Sequence, residues 1–131
     1  MDLSKEIHVV GAAIQKQGLT LALQRSETMS LPNLWEFPGG KIETDESKEE
    51  ALIREIKEEL AVDIRIKEYV NTASYDYDFG RVTLSVYTVE ITHGDIFLRE
   101  HADMKWLKSD ELDQVTWAPV DIPAVQILSK Q

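Results

Sequence analysis

Apolar residues along this chain change their spacing several times, and each change predicts an element. Ile7 to Gln15 is apolar with β-branched residues and reads as a buried strand. Leu19, Leu21 and Leu23 alternate with Thr20, Ala22 and Gln24 in the manner of a half-exposed strand, and Lys16-Gln17-Gly18 forms the turn between the two. Ser26 to Asn33, with Pro32, reads as a loop, and Trp35 to Lys41 as a short strand broken by Pro38, Gly39 and Gly40. The period then becomes helical. Ser47 and Glu50 have the spacing of a capping box, in which the serine oxygen takes an orphan N–H and the glutamate reaches back to the cap. A helix therefore starts near Ser47. Leu52, Ile53, Ile56 and Leu60 fall on one apolar arc and Glu55, Glu58 and Glu59 on another, which predicts one buried face and one acidic face.

Beyond the helix, Asp63 to Ala73 and Ser74 to Ile91 read as strands, with a turn at Asp78-Phe79-Gly80-Arg81. Val82, Leu84 and Val86 alternate strictly until the parity shifts at Tyr87, which predicts a bulge. Tyr75 and Tyr77 share one strand face; aromatics at that spacing serve the core more often than they stack on bases. His93 to Asp103 is a loop, Met104 to Leu107 a short strand, and Ser109 to Leu112 a single turn. Asp121-Ile122-Pro123 has the form of an N-cap with proline in the first turn. It opens a last helix, Pro123 to about Ser129, with Val125 and Leu128 on its inner face. Strands interspersed with two helices predict an α/β fold, a mixed sheet with helices on both faces, in a single domain over residues 1–131.

The absence of cysteine excludes disulfides, thiolate metal sites and thiol nucleophiles. No basic segment with an apolar core opens the chain and no apolar run is long enough for a bilayer, so a cytoplasmic location is expected. A net charge of −10 repels nucleic acid polymers and anionic membranes, which makes both poor partners. A phosphate substrate would need cations to bridge it to such a protein.

Glu55 is i,i+3 to Glu58 and i,i+4 to Glu59, and each pair repels by roughly 0.2–0.5 kcal/mol where a lysine would have helped. Converging carboxylates suit Mg²⁺ or Mn²⁺; on spacing alone a solvated acidic face is the other reading. Gly39 and Gly40 allow backbone to approach a metal or phosphate closely, with Lys41 as a point charge, or they make a tight turn before the helix. His8, in the first strand, reads as packed or surface-lying.

Gly40, five residues, Glu46, seven residues, Arg54-Glu55-Ile56, one residue, Glu58-Glu59, one residue, Ala61-Val62 resembles the Nudix box at every position except Ala61, where that family has glycine. The match is clearest over Trp35 to Val62, and weaker similarity to the MutT-like branch, of the CTP pyrophosphohydrolase and 8-oxo-dGTP diphosphatase type, covers nearly the whole chain. The resemblance implies an α/β/α sandwich with a mixed sheet, and hydrolysis of nucleoside diphosphates linked to another group. It implies that Glu55, Glu58 and Glu59 hold Mg²⁺, or Mn²⁺, with the Gly39 carbonyl and with Glu100, six residues before Trp106, as further ligands. Arg54 would pair with a carboxylate to orient the helix acids, and Glu58 or Glu100 would take the proton from the attacking water.

By the same resemblance, Ala118 to Pro123 corresponds to a base-reading segment in which Asp121 accepts from an exocyclic amine such as cytosine N4, with 8-oxo-dGTP also open. Phe37, Gly40, Lys41, Arg25 and Arg81 are the remaining candidates to contact the nucleotide. The implied activity is that of a Mg²⁺-dependent pyrophosphohydrolase that cleans the nucleotide pool. It would convert a nucleoside triphosphate to a monophosphate and pyrophosphate, favouring CTP, dCTP or a modified base. A monomer and a homodimer are equally compatible. A Nudix hydrolase of ADP-ribose or a dinucleotide, and a non-catalytic nucleotide sensor on the same fold, are the alternatives.

Overall fold

The computed structural model describes residues 5–131; residues 1–4, part of the stretch read above for a targeting signal, lie outside the described residues. Seven strands, β1 (Glu6–Lys16), β2 (Leu19–Gln24), β3 (Trp35–Glu36), β4 (Gly39–Lys41), β5 (Asp63–Tyr77), β6 (Gly80–His93) and β7 (Asp103–Leu107), form a mixed sheet. Helix α1 (Lys48–Leu60) follows β4, and α2 (Ile122–Leu128) closes the chain after two short 3₁₀ turns, Ser109–Gln114 and Pro119–Asp121. The main path is β3-β2-β1-β6-β5, with β4 paired to β1 and β7 to β2. Among the described strands only β1 and β6 run parallel, from Glu6↔Arg81 to Ile14↔Val89, so they need a long crossover, which the chain through α1 and β5 supplies.

β1 reads as a continuous apolar run because helices cover both of its faces. Val10, Ala12 and Ile14 pack with Leu52, Ile56 and Leu60 of α1, while Ala13 belongs to the cluster that holds Ala124, Val125 and Leu128 of α2. The result is an α/β/α sandwich. Each large apolar side chain fully removed from water in these two cores contributes about 1.5–3 kcal/mol.

Three expectations about β5, β6 and the start of α2 need correction. β5 is unbroken past Ala73 to Tyr77, because Ser74, Tyr75 and Asp76 continue its pairing with Thr83, Val82 and Arg81. β6 carries no bulge at Tyr87. Val82, Leu84 and Val86 face the α2 core and Tyr87 and Val89 the α1 core, so alternation persists while the second face becomes buried. The register does shift opposite Tyr87, but the extra residues there, Lys67 and Val70, lie on β5; a third shift, between Asp63 and Ile64, leaves Thr92 of β6 extra. Third, Asp121 precedes α2 but makes no side-chain cap: the chain already turns helically from Pro119, and its carboxylate points elsewhere. His8 is exposed beside Glu6.

The capping box forms as expected. The Glu50 N–H donates to Ser47 Oγ at 3.0 Å and the Ser47 N–H to Glu50 Oε1 at 2.9 Å. Ile53, however, is 45% exposed, and fully buried Ala51 takes its place beside Leu52, Ile56 and Leu60. The buried arc of α1 thus turns toward its acids. At the other end Ala61 adopts φ 62°, ψ 30°, a left-handed cap whose N–H donates to the Lys57 carbonyl. An L side chain in that region costs about 1–2 kcal/mol, which exceeds the extra unfolded-state entropy of glycine. Ala61→Gly is therefore expected to raise the unfolding free energy by about 0.5–1 kcal/mol in urea titrations; no gain would mean that the cap carries no strain.

Candidate active site

The strand broken by glycines lies between β1 and the acid-bearing helix, and the backbone there leaves no room for side chains. A Cβ on Gly39 would overlap the Val10 carbonyl, and one on Gly40 would run into the Glu55 carboxylate. These glycines let β4 pair with β1 and let Glu55 lie against the backbone of the loop.

Arg54 organises the acids. Its guanidinium donates to Glu46 through Nε at 2.7 Å and Nη2 at 3.0 Å, to Glu55 Oε1 at 2.9 Å, to Glu58 Oε2 at 3.1 Å and to the Lys41 carbonyl at 3.0 Å. The hydrogen bonds from Arg54 and from the Glu43 backbone hold the Glu46 carboxyl down to about 2. One planar cation therefore joins the loop carbonyl to both turns of helix acid, a geometry that lysine's single ammonium could not reproduce.

The three helix acids do not share one environment. Glu58 is 61% exposed at its side chain, whereas Glu55 and Glu59 are 19% and 16% exposed. Burial, followed by the like charges of Glu36 and Glu55, pushes the Glu59 carboxyl up to about 8. Among the described residues, Oε1 of Glu59 has no hydrogen-bond partner, and neither has Nδ1 of the buried His101, 3.5 Å away. Glu36 completes this group: Glu36, Glu59 and His101 each offer a ligand atom, all within 4.8 Å of one another.

A cleft of about 520 Å³ joins this group to an apolar one. Glu55, Glu59, Glu100, Gly39, Gly40 and Lys41 line it together with Arg25, Phe37, Tyr77, Phe79 and Asp121. Asp121 is only 4% exposed, and its Oδ2 accepts from the Phe37 N–H at 3.0 Å. Burial and the charge of Glu36 push its carboxyl well above the ordinary range. Phe37 packs on Trp117 with ring centroids 4.8 Å apart, and Tyr77 stacks on Phe79 at 5.2 Å.

Most of the residues predicted from sequence thus border one cleft. Arg25 does so with its guanidinium already engaged, by Glu36 at 2.7 Å and by the Ser30 carbonyl at 2.6 Å. Arg81 is elsewhere: it is exposed, pairs with Asp76 at 2.7 Å and does not line the cleft. Glu58 does not line it either. Glu36 and His101 escaped the sequence reading, since residues so far apart share no spacing rule; the one signal was that His101 directly follows Glu100.

A profile of the NUDIX domain matches residues 5–127. The chain belongs to the Nudix family. This Nudix hydrolase is 37% identical over 122 residues to the CTP pyrophosphohydrolase of Escherichia coli (strain K12), a match covering 93% of this chain and 90% of that one. To the putative 8-oxo-dGTP diphosphatase 2 of Mycobacterium tuberculosis (strain ATCC 25618 / H37Rv) it is 33% identical over 114 residues, covering 86% of this chain and 81% of that one. A solution structure described as DNA mismatch repair protein MutT, family Nudix hydrolase, from methicillin-resistant Staphylococcus aureus 252 superposes with a TM-score of 0.80 at 47% identity, covering 96% and 97% of the two chains. Nudix hydrolases generally use divalent metals, and this half-buried acidic group with its unpartnered atoms is part of where this one could hold such an ion. No helix among the described residues is long and apolar enough to cross a membrane.

The raised Glu59 carboxyl makes a signed prediction for protein stripped of divalent ions. A carboxyl whose folded value, about 8, exceeds its unfolded value near 4.5 binds a proton preferentially in the folded state. Its stabilising contribution is complete below about 4.5 and is lost as pH rises toward 8, with a slope no steeper than about 1.4 kcal/mol per pH unit. Urea unfolding in EDTA between pH 5 and 8 should show wild type losing stability relative to Glu59→Gln; parallel curves would refute the assigned shift.

Proposed function

We propose that this Nudix hydrolase is a single-domain, Mg²⁺-dependent nucleoside triphosphate pyrophosphohydrolase that releases a nucleoside monophosphate and pyrophosphate. Its preferred substrates would be CTP, dCTP or a nucleotide with a modified base. The observation that carries this reading is a half-buried glutamate with a buried, unpartnered oxygen, Glu59, in the same cleft as a buried base-reading candidate, Asp121. The names of the two curated relatives, a CTP pyrophosphohydrolase and a putative 8-oxo-dGTP diphosphatase, support the substrate class.

The residues fit a divalent cation. Glu59 has a free buried oxygen, and the Glu55 carboxylate lies against Gly40 where a side chain would otherwise sit, so hard oxygen donors line this part of the cleft. Glu55, Glu58, Glu59, Glu100 and the Gly39 carbonyl would hold the ion. Mg²⁺, or Mn²⁺ in its place, would neutralise the triphosphate and make an attacking water easier to deprotonate. Arg54 keeps Glu55 from swinging away, and Lys41 supplies a point charge for a phosphate oxygen. Of the two candidate bases, Glu100 borders the cleft, while Glu58 is held by Arg54 outside its lining.

Asp121 governs the base in this reading. Oδ2 is used by the Phe37 N–H, which leaves Oδ1 for the substrate. Ionised, Oδ1 accepts from an exocyclic amine such as cytosine N4; protonated, as its burial favours, the carboxyl can also donate to a ring carbonyl. Both a cytosine and an oxidised guanine are therefore compatible with it. Arg25, through its bond to Glu36, lines the same end, and Phe37, Tyr77 and Phe79 give the base apolar walls.

Pyrophosphate release from CTP, 5-substituted dCTP, 8-oxo-dGTP and ADP-ribose with Mg²⁺ tests the assignment. Preference for ADP-ribose would refute it. Glu58→Gln should lose at least about 100-fold in turnover with an unchanged unfolding midpoint, since its side chain is exposed; near-wild-type turnover would remove Glu58 from the site. Asp121→Asn should reorder the panel more than it lowers the overall rate, and an unchanged ranking would detach Asp121 from base recognition.

A further inference from the structure

The histidine of the acidic group is not among the ligands proposed above, yet it is among the most deeply buried side chains of the cleft. His101 is 2% exposed at its side chain. Its Nε2 lies 2.8 Å from Glu36 Oε2; the other Glu36 oxygen accepts from Arg25 Nη1 at 2.7 Å, and Arg25 Nε donates to the Ser30 carbonyl at 2.6 Å. The loop that carries His101 is tethered on both sides, by the Phe97 N–H to the Leu60 carbonyl and the Ala102 N–H to the Gln24 carbonyl, each at 2.9 Å. The other ring nitrogen, Nδ1, lies 3.5 Å from Glu59 Oε1, and neither atom has a hydrogen-bond partner among the described residues.

Burying an imidazole for packing alone would leave two polar nitrogens out of water at about 1–3 kcal/mol each. Here Nε2 is paired with Glu36, and Nδ1 lies 3.5 Å from a carboxylate oxygen of Glu59. Glu36 and Glu55 crowd Glu59, and a glutamate with no tether would relieve that by swinging toward solvent; Glu58, one residue earlier, does lie outward, 61% exposed and held there by Arg54. Something must hold Glu59 inward before any cation arrives.

We propose that His101 is a positioning residue for the cation site: anchored through Glu36 and Arg25, its Nδ1 edge keeps the Glu59 carboxylate turned into the cleft beside Glu55. This rests on the reading of Glu59 as a cation ligand. Fixing one rotamer-rich ligand in advance removes an ordering cost from binding, so the effect falls on metal affinity rather than on the chemical step.

The test is a titration of nucleotide-free protein with Mn²⁺, reading free Mn²⁺ by electron paramagnetic resonance, beside kcat at saturating Mn²⁺. His101→Phe should weaken Mn²⁺ binding by about 10–100-fold while kcat at saturating metal changes much less. His101→Asn places an amide near the Nδ1 position and gives up Glu36; His101→Gln places it near Nε2 and gives up Glu59. Asparagine should restore most of the affinity and glutamine little. Both keep a polar side chain of similar size, so the comparison survives if the phenylalanine variant does not fold. Affinity within twofold of wild type in the phenylalanine variant, or glutamine restoring as much as asparagine, overturns the inference. Glu59→Gln separates the two levels: wild-type Mn²⁺ affinity there would remove the cation reading and His101 with it, whereas weakening in Glu59→Gln alone would remove only His101.

Discussion

Crowded carboxylates in a partly dry cleft are the constraint to which the rest of the structure answers. Glu59 feels Glu36, Glu55 and Glu100 at once, on a protein that already carries a net charge of −10. Such crowding is relieved either by taking up a proton, as Glu59 does below about 8, or by turning a long side chain outward. Arginines oppose this. Arg54 spans Glu46, Glu55, Glu58 and the Lys41 carbonyl, and Arg25 holds Glu36. Each works by several fixed hydrogen bonds, so each restrains direction as well as balancing charge.

The fold is shaped around that cluster. β1 must accept β4 on one edge and β6 on the other, which brings the glycine backbone beneath the acids of α1. The helix in turn rolls so that Glu59 lies inside its buried arc and Ile53 outside it. An apolar residue half exposed and a carboxylate mostly buried on one helix is the reverse of what packing alone would select. The Ser47 capping box and the left-handed Ala61 fix the two ends of α1, so the roll is not free to relax.

Much of this was legible in the sequence where a rule is local. Capping box, strand alternation, the turn at Lys16 to Gly18 and the glycine-then-acid spacing are short-range patterns, and the elements formed where they predicted, within a few residues. The misreadings have a common physical source, which is that periodicity reports how many faces are buried but not by what. Tyr87 looked like a bulge because a second helix covers β6 from that point. Ile53 looked buried because the apolar arc was taken without the glycine strand that draws the helix the other way. Asp121 looked like a cap because its sequence context is that of one, whereas the amide it serves belongs to Phe37, 84 residues earlier. Glu36 and His101 could not be joined by any local rule, being 65 residues apart.

Those long-range contacts converge on three consecutive residues, Trp35-Glu36-Phe37. Trp35 is buried and pairs its backbone with Gln24 and with Trp117. Glu36 joins Arg25 to His101, and the Phe37 N–H holds Asp121. Extended backbone alternates its side chains, so Glu36 must leave on the side opposite Trp35 and Phe37, and one short strand can serve the acidic group and the aromatic walls together. The distance between the proposed cation-binding and base-reading ends is thereby set by covalent geometry rather than by the packing of separate loops. A shift of register by one residue against β2 would send Glu36 into the core and Trp35 into the cleft, which is why β3, though only two residues long, is pinned by backbone hydrogen bonds from Trp35 N–H to the Thr116 carbonyl and from the Ala118 N–H to the Trp35 carbonyl.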